Sequence, residues 1–282
     1  MKKVFLALVI VAVMGMALLV GRNFFVLPKV PSGRFQITAS FYPLYFFATE
    51  IAGDRADVYN LTPGGAEPHD FELKAGDRAK VEDSRLLIIN GGKFEPWGDQ
   101  IVASLHGSRT RALIVGDGNI DPHIWLSPRL AKAEATKILG ALSEVDPSNA
   151  GYYSERFNLL SHRFDDLDVE YRAGLTNCEK KDIITAHSAF GRLALEYGFS
   201  QIGISGISPD EEPSPQKLGE ITDLARQKQI KYIFFESLVS PKLAETIAGE
   251  VGAETLVLNP LEGISDEEAA RGEDYFSVMR KN

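Results

Sequence analysis

The stretch DPSNAGYYSERFNLLSHRFDDLDVEYRAG, residues 146–174, decides the architecture. Asp146-Pro147 is a helix-start signal and Gly174 a stop. Between them Tyr153, Phe157, Leu160, Phe164, Leu167 and Tyr171 recur at spacings of 4, 3, 4, 3 and 4, which is the period of one helical face. Roughly 27 residues at ~1.5 Å each reach about 40 Å, longer than a crossover inside one small lobe requires. The spacing therefore predicts a strut between two halves, with an ordinary packed helix of a single domain as the competing reading. On either side of it the rhythm changes. Short apolar runs at residues 58–61, 86–89, 183–185, 232–235 and 255–258 alternate with helical periodicity, the pattern of parallel sheets covered on both faces. The expected fold is α/β: two lobes with parallel-rich sheets flanked by helices, joined by one long rigid helix. The expected divisions are 1–34 as a signal or anchor segment with a tether, 35–145 as the N-terminal lobe, 146–175 as the linking helix and 176–282 as the C-terminal lobe.

Composition agrees with two lobes and removes several function classes. The 282 residues are 44% apolar and carry a formal charge of −9, enough apolar content for sizeable cores at the usual ~100–200 residues per domain. No dense Lys/Arg block is present, so a phosphate backbone would find no complementary surface and nucleic acid is not an expected partner. Cys178 is the only cysteine. A disulfide framework, a CxxC redox pair and a cysteine zinc site are thereby excluded within this chain, and any metal chemistry must use histidine and carboxylate.

Lys2 and Lys3 precede an uncharged run over residues 4–20, about 17 long, on the boundary between a secretory apolar region of about 7–15 residues and a membrane span of about 17–25. Length favours a retained anchor over cleavage at the weak Gly15-Met16-Ala17 site. The positive-inside bias puts everything after Arg22 outside the cytoplasm. Leu19-Val20-Gly21 resembles the start of a lipoprotein box, but Arg22 follows where cysteine would have to stand, so lipid cannot be attached there.

Five histidines occur, at 69, 106, 123, 162 and 187. His69, His123 and His187 share one context, a loop that leaves a strand and enters a helix, and in open parallel sheets such loops line the ligand crevice. Ser127 and Pro128 are a good cap and first residue for the helix after His123. Three neutral imidazoles converging on one point would make a first-row metal site lacking one ligand. Glu273 and Asp274 in Gly272-Glu273-Asp274-Tyr275, and Glu236 at the end of an apolar strand, are the carboxylate candidates, with a structural role expected for Glu236. Three nitrogens and one oxygen suit tetrahedral Zn²⁺, whereas oxygen-rich octahedral sites suit Mn²⁺ or Mg²⁺. His106 and His162 are expected on the surface without a role. A zinc hydrolase is the rival from another class, since three histidines and an open position would activate water. The chain contains no HExxH spacing and no nucleophile elbow.

Ala39-Ser40-Phe41-Tyr42-Pro43, residues 65–72 (GAEPHDFE), Asn90-Gly91-Gly92 with Glu95-Pro96-Trp97, and residues 121–128 (DPHIWLSP) form an ordered set. Ala186-His187-Ser188-Ala189-Phe190, Glu212-Pro213-Ser214, Asn259-Pro260-Leu261-Glu262-Gly263 and residues 272–275 continue it. With these blocks the chain, from about Thr38 to Asn282, resembles the metal-specific solute-binding proteins (cluster A-I) that serve bacterial ABC importers for zinc and manganese. The resemblance implies two α/β lobes joined by a long rigid helix, one metal ion in the interlobe cleft, and a membrane permease as partner of a monomeric extracytoplasmic receptor that is not an enzyme. It places the first two ligands on His69 and His123, the third on His187 and the fourth on Glu273, with Asp274 one residue away. Manganese-preferring members tend to carry glutamate at the third position, so His187 implies Zn²⁺ as the transported ligand, ahead of Mn²⁺. Some members have been assigned adhesin roles. Three departures stand out: no histidine-rich acidic loop lies between Gly92 and Asp121, Cys178 has no partner for a disulfide found in some members, and Arg22 replaces a lipidated cysteine.

Overall fold

Two four-stranded parallel sheets are wound with the same connectivity. In the computed structural model, which describes residues 34–92, 94–116, 118 and 121–282, Phe35–Ala39 (β1), Ala56–Asn60 (β2), Leu86–Ile89 (β3) and Arg111–Ile114 (β4) pair in the order β2-β1-β3-β4. Asp182–Thr185 (β5), Ser200–Gly203 (β6), Tyr232–Phe235 (β7) and Glu254–Val257 (β8) repeat that order as β6-β5-β7-β8. Each sheet reverses its winding direction at its first strand, and this opens a crevice at the carboxyl ends of the strands. The two-lobe α/β expectation holds. The apolar run on which the anchor expectation rests lies outside the described residues. Among the described residues no helix is long and apolar enough to cross a membrane.

Strand β3 illustrates how a short apolar run earns two covered faces. Leu86 and Ile88 enter the largest core, and Leu87 and Ile89 enter a smaller one with Leu61, Val81, Trp97, Ile101 and Leu105 on the opposite face. In the second sheet Ile184 and Ile233 join a core with Ile204, Ile221, Ile230 and Ile247, while Ile183 and Phe234 turn to the large core.

The long helix runs Ala150–Leu175 after a short 3-10 turn at Pro147–Asn149, about 39 Å for its 26 residues. Asp146 starts it by accepting hydrogen bonds from the Asn149 amide and the Tyr153 hydroxyl, 2.7 and 2.6 Å away. Tyr153, Leu160, Phe164, Leu167 and Tyr171 are buried along one stripe, as the spacing predicts. That stripe does not merely connect. It packs into one continuous core that holds Ile37, Phe47 and Trp125 of the first lobe together with Phe190, Leu193 and Leu261 from beyond the helix. The last helix, Tyr275–Lys281, lies on the same core. Tyr275 meets Phe47 edge-on at 4.9 Å, Phe276 lies 5.1 Å from Phe164, and the Tyr171 hydroxyl donates to the Met279 carbonyl at 2.6 Å.

Candidate metal centre

Each histidine arrives on a loop that leaves the carboxyl end of a strand. His69 follows β2, where Thr62 ties the loop to the Ser40 carbonyl. Gly64 lets this loop lie against residues 262–266, because a Cβ there would stand 2.9 Å from the Ile264 carbonyl oxygen. His123 follows β4 and opens the turn Ile124–Leu126, after which Ser127 caps the helix Pro128–Val145 by accepting from the Leu130 N–H. His187 follows β5. A fourth side chain, Glu262, comes from the loop after β8.

These four meet. Nε2 of His123 is 3.3 Å from Nε2 of His69 and 3.3 Å from Nε2 of His187. Glu262 Oε1 stands 3.3, 3.2 and 3.4 Å from the Nε2 atoms of His69, His123 and His187. All four ligand atoms lie within 4.8 Å of one another. Five of the six edges between these atoms are 3.2–3.4 Å, close to those of a tetrahedron whose centre stands about 2.0–2.1 Å from each corner, the bond length zinc makes to imidazole nitrogen and carboxylate oxygen.

Two of the three imidazoles are aimed by carboxylates on their far sides. His123 Nδ1 donates to Asp121 Oδ1 at 3.0 Å, and the same oxygen accepts the His123 backbone N–H. Glu236 grips His187 twice, accepting from Nδ1 at 2.6 Å and from the backbone N–H at 3.0 Å. A proton held on Nδ1 leaves the Nε2 lone pair facing the centre. Phe94 closes the first-lobe side, its ring edge-on to His69 at 4.6 Å.

The charges respond strongly to one another. Burial opposes ionisation of Glu262, but the imidazoles of His123, His187 and His69 outweigh it and hold the carboxyl well below the usual range. Burial likewise works against a charged His187, yet Glu236 and Glu262 lift its pKa to about 10. His123 is also raised, because Asp121 and Glu262 overcome its burial. Glu67, whose Oε1 accepts the His69 backbone N–H, is pushed up to about 9 by burial and by the charge of Glu262. Glu67 borders a cavity of about 680 Å³ with Asp70, Asp210 and Glu212 on its wall, an acidic approach suited to a cation.

Of the residues expected from sequence, His69, His123 and His187 are brought together and Glu273 is not. Its carboxylate accepts from the Ser277 hydroxyl at 2.7 Å and pairs with Lys281, on the solvent side of the last helix. Asp274 caps that helix, accepting from the Ser277 N–H at 2.7 Å and pairing with Arg163. Local helix-start chemistry therefore occupies both. Glu236 reaches the cluster behind His187 as its orienting partner. His106 and His162 are exposed. Glu262 escaped the sequence reading although residues 259–263 directly follow the apolar run 255–258, as the His187 loop follows 183–185.

Comparison with known proteins agrees with this constellation. The family model described as "Zinc-uptake complex component A periplasmic" (ZnuA) matches residues 37–282. The high-affinity zinc uptake system protein ZnuA of Bacillus subtilis is 36% identical over 272 residues, covering 88% of this chain and 85% of that protein. The zinc-binding protein AdcA of Streptococcus pyogenes is 33% identical over 282 residues, covering 89% of this chain. The chain spans about half of AdcA, 55% of its length. Among solved structures, Zn(II)-bound AdcA from Streptococcus pneumoniae superposes with a TM-score of 0.79 at 36% identity, over 89% of this chain and 56% of that one. The laminin-binding protein of Streptococcus agalactiae, described as bifunctional with adhesin and metal-transporting activity, superposes with a TM-score of 0.81 at 32% identity, over 88% of this chain and 96% of that one. With the match running through both sheets and the whole histidine constellation, this chain belongs to the ZnuA family.

Proposed function

We propose that the chain is an extracytoplasmic receptor that captures one Zn²⁺ through His69, His123, His187 and Glu262 and hands it to the membrane permease of an ABC importer. The observation that carries this reading is the buried N₃O cluster, three Nε2 atoms and one carboxylate oxygen close enough together to share one zinc ion. Mn²⁺ prefers six oxygen-rich ligands and would be poorly served by three imidazoles. Protein ligands at all four corners, inside a buried site, leave no open position for an activated water, and nothing in the site favours a hydrolase. The names of the zinc-uptake and zinc-binding relatives support the same reading, as does the periplasmic description of the family for a location outside the cytoplasm. The receptor is proposed to act as a monomer, with the N-terminal apolar run as its anchor. An adhesin role is compatible with metal capture and rests on the laminin-binding relative alone.

Capture works by exchange. Water around the ion is replaced by three Nε2 lone pairs and an ionised carboxylate, while Asp121 and Glu236 hold the Nδ1 protons and keep the rings aimed. Chelator competition with the full chain tests the ligand set. Removing one of four ligands gives up roughly a quarter of the ~10–16 kcal/mol of structural zinc binding, about 3 kcal/mol, so Glu262→Gln is expected to weaken Zn²⁺ by at least a hundred-fold. Glu273→Gln is expected to bind like the wild type. Equal weakening by both substitutions would overturn the assignment.

A further inference from the structure

His123 and His187 are each aimed by a carboxylate behind the ring. Glu262 faces the three imidazoles on the metal side and the half-buried Glu67 beside it, and among the described residues no amide, hydroxyl or cation grips it from behind. Its position is set from below by the backbone as well, and that backbone is unusual. Leu261, fully buried, holds a left-handed φ of 58°, a conformation that L-residues with branched side chains seldom adopt. Strain of this kind persists only where the surroundings over-determine it, and it gathers at functional sites.

Three contacts supply that determination, one per residue. The Asn282 side chain reads the Asn259 peptide from both sides: its Oδ1 accepts the Asn259 N–H at 2.9 Å and its Nδ2 donates to the Asn259 carbonyl at 2.7 Å. The Asn259 Oδ1 then accepts the Leu261 N–H at 2.8 Å, closing a side-chain turn around the left-handed residue. Between them the Pro260 carbonyl accepts Trp125 Nε1 at 2.8 Å, two residues beyond His123. Asn282 is itself seated at the end of the last helix, which the Tyr171–Met279 hydrogen bond and the Arg163–Asp274 pair hold on the long helix.

We propose that Asn282 is a positioning residue for metal binding: its side-chain amide clamps Asn259, Asn259 holds Leu261 left-handed, and the clamped loop presents Glu262 to the ion. The clamp rests on Glu262 being the fourth ligand and goes beyond it by naming what keeps that ligand in place. It also identifies the loop at residues 259–263 as the part of the site whose release frees a corner of the tetrahedron while the three histidines stay oriented.

The test uses the full chain loaded with Zn²⁺ or Co²⁺. Outer partners of metal ligands are worth about 10- to 100-fold, so Asn282→Ala is expected to speed zinc loss to a chelator by that factor. The visible Co²⁺ band is expected to weaken as the ion gains water and leaves tetrahedral geometry. In a Glu262→Gln background, Asn282→Ala is expected to add nothing further. Wild-type release by Asn282→Ala, or an effect that adds in full to Glu262→Gln, would overturn the clamp. Should Asn282→Ala not fold, Asn259→Ala is expected to accelerate release and Asn259→Asp, which keeps the acceptor for Leu261, to restore it; equal release by both overturns the clamp as well. Wild-type release by Glu262→Gln alone would remove the ligand assignment beneath the clamp, a result distinguishable because it involves no change at Asn282.

Discussion

His187 meets a carboxylate at each ring nitrogen, Glu236 at 2.6 Å from Nδ1 and Glu262 at 3.4 Å from Nε2. Burial alone would strip the ring of its charge; the two carboxylates reverse that and carry the pKa to about 10. Before zinc arrives, the ring therefore keeps both protons at neutral pH, and the one on Nε2 occupies the lone pair that the ion needs. Binding must expel it. The sign follows directly: a raised histidine pKa means protons compete throughout the range below about 10, so zinc affinity climbs with pH across neutrality and falls as the solution is acidified. His123, raised by Asp121 and Glu262, acts in the same direction. Titration calorimetry at pH 7 in buffers of different ionisation enthalpy is expected to give at least one proton released per zinc bound. No release at all would mean that His187 is already neutral and that Glu236 orients it without charging it.

The long helix carries its weight through one stripe, and Phe164 sits at the centre of it. Its ring lies 5.3 Å from Phe47, 5.8 Å from Tyr275 and 5.1 Å from Phe276, with almost no exposure. Phe164→Ala is expected to cost about 3–5 kcal/mol of stability in metal-free protein, read from denaturant midpoints, because the three rings, held on two packed helices, cannot all collapse into the gap. A loss below about 1 kcal/mol would mean that the stripe is redundant. This helix was legible because its spacing repeats over six apolar residues, and β3, β5 and β7 were legible because both their faces are covered. Strands β4 and β6 were not singled out: Ser200-Gln201-Ile202-Gly203 is a half-exposed sheet edge with one large apolar residue, and at β4, also an edge, the short run Ala112-Leu113-Ile114 follows Arg109 and Arg111, which read as surface. The same contrast holds at the site. Histidines are few, so three in one topological context are conspicuous, whereas Glu262 is one carboxylate among 39 Asp and Glu, and what marks it is a place after β8 that only the fold makes meaningful. Glu273 carried the family resemblance but follows a glycine into a helix start, where Ser277 and Lys281 claim it.

How the molecule lets go of an ion it encloses is decided by what joins its lobes. A wide hinge would part the core in which Trp125, Phe190, Leu193 and Tyr275 are packed together with the long helix. Re-exposing those four side chains costs about 1.5–3 kcal/mol each, together about 6–12 kcal/mol, before any metal bond is broken. The Trp125–Pro260 hydrogen bond and the Arg129–Glu196 ion pair, 2.8 and 2.9 Å, would be lost with them. Withdrawing the 259–263 loop breaks one metal bond, gives up the Trp125–Pro260 hydrogen bond too and re-exposes Leu261 at about 1.5–3 kcal/mol, but leaves the other core side chains packed, so loop displacement is the cheaper path and the lobes stay docked. Small-angle scattering of the full chain with and without zinc tests the choice. The two profiles are expected to superimpose, with the change on metal removal confined to hydrogen-exchange protection around Asn259, Leu261 and Glu262. A radius of gyration that grows by several ångströms in the metal-free protein would show that the shared core parts after all, and release would then belong to the hinge.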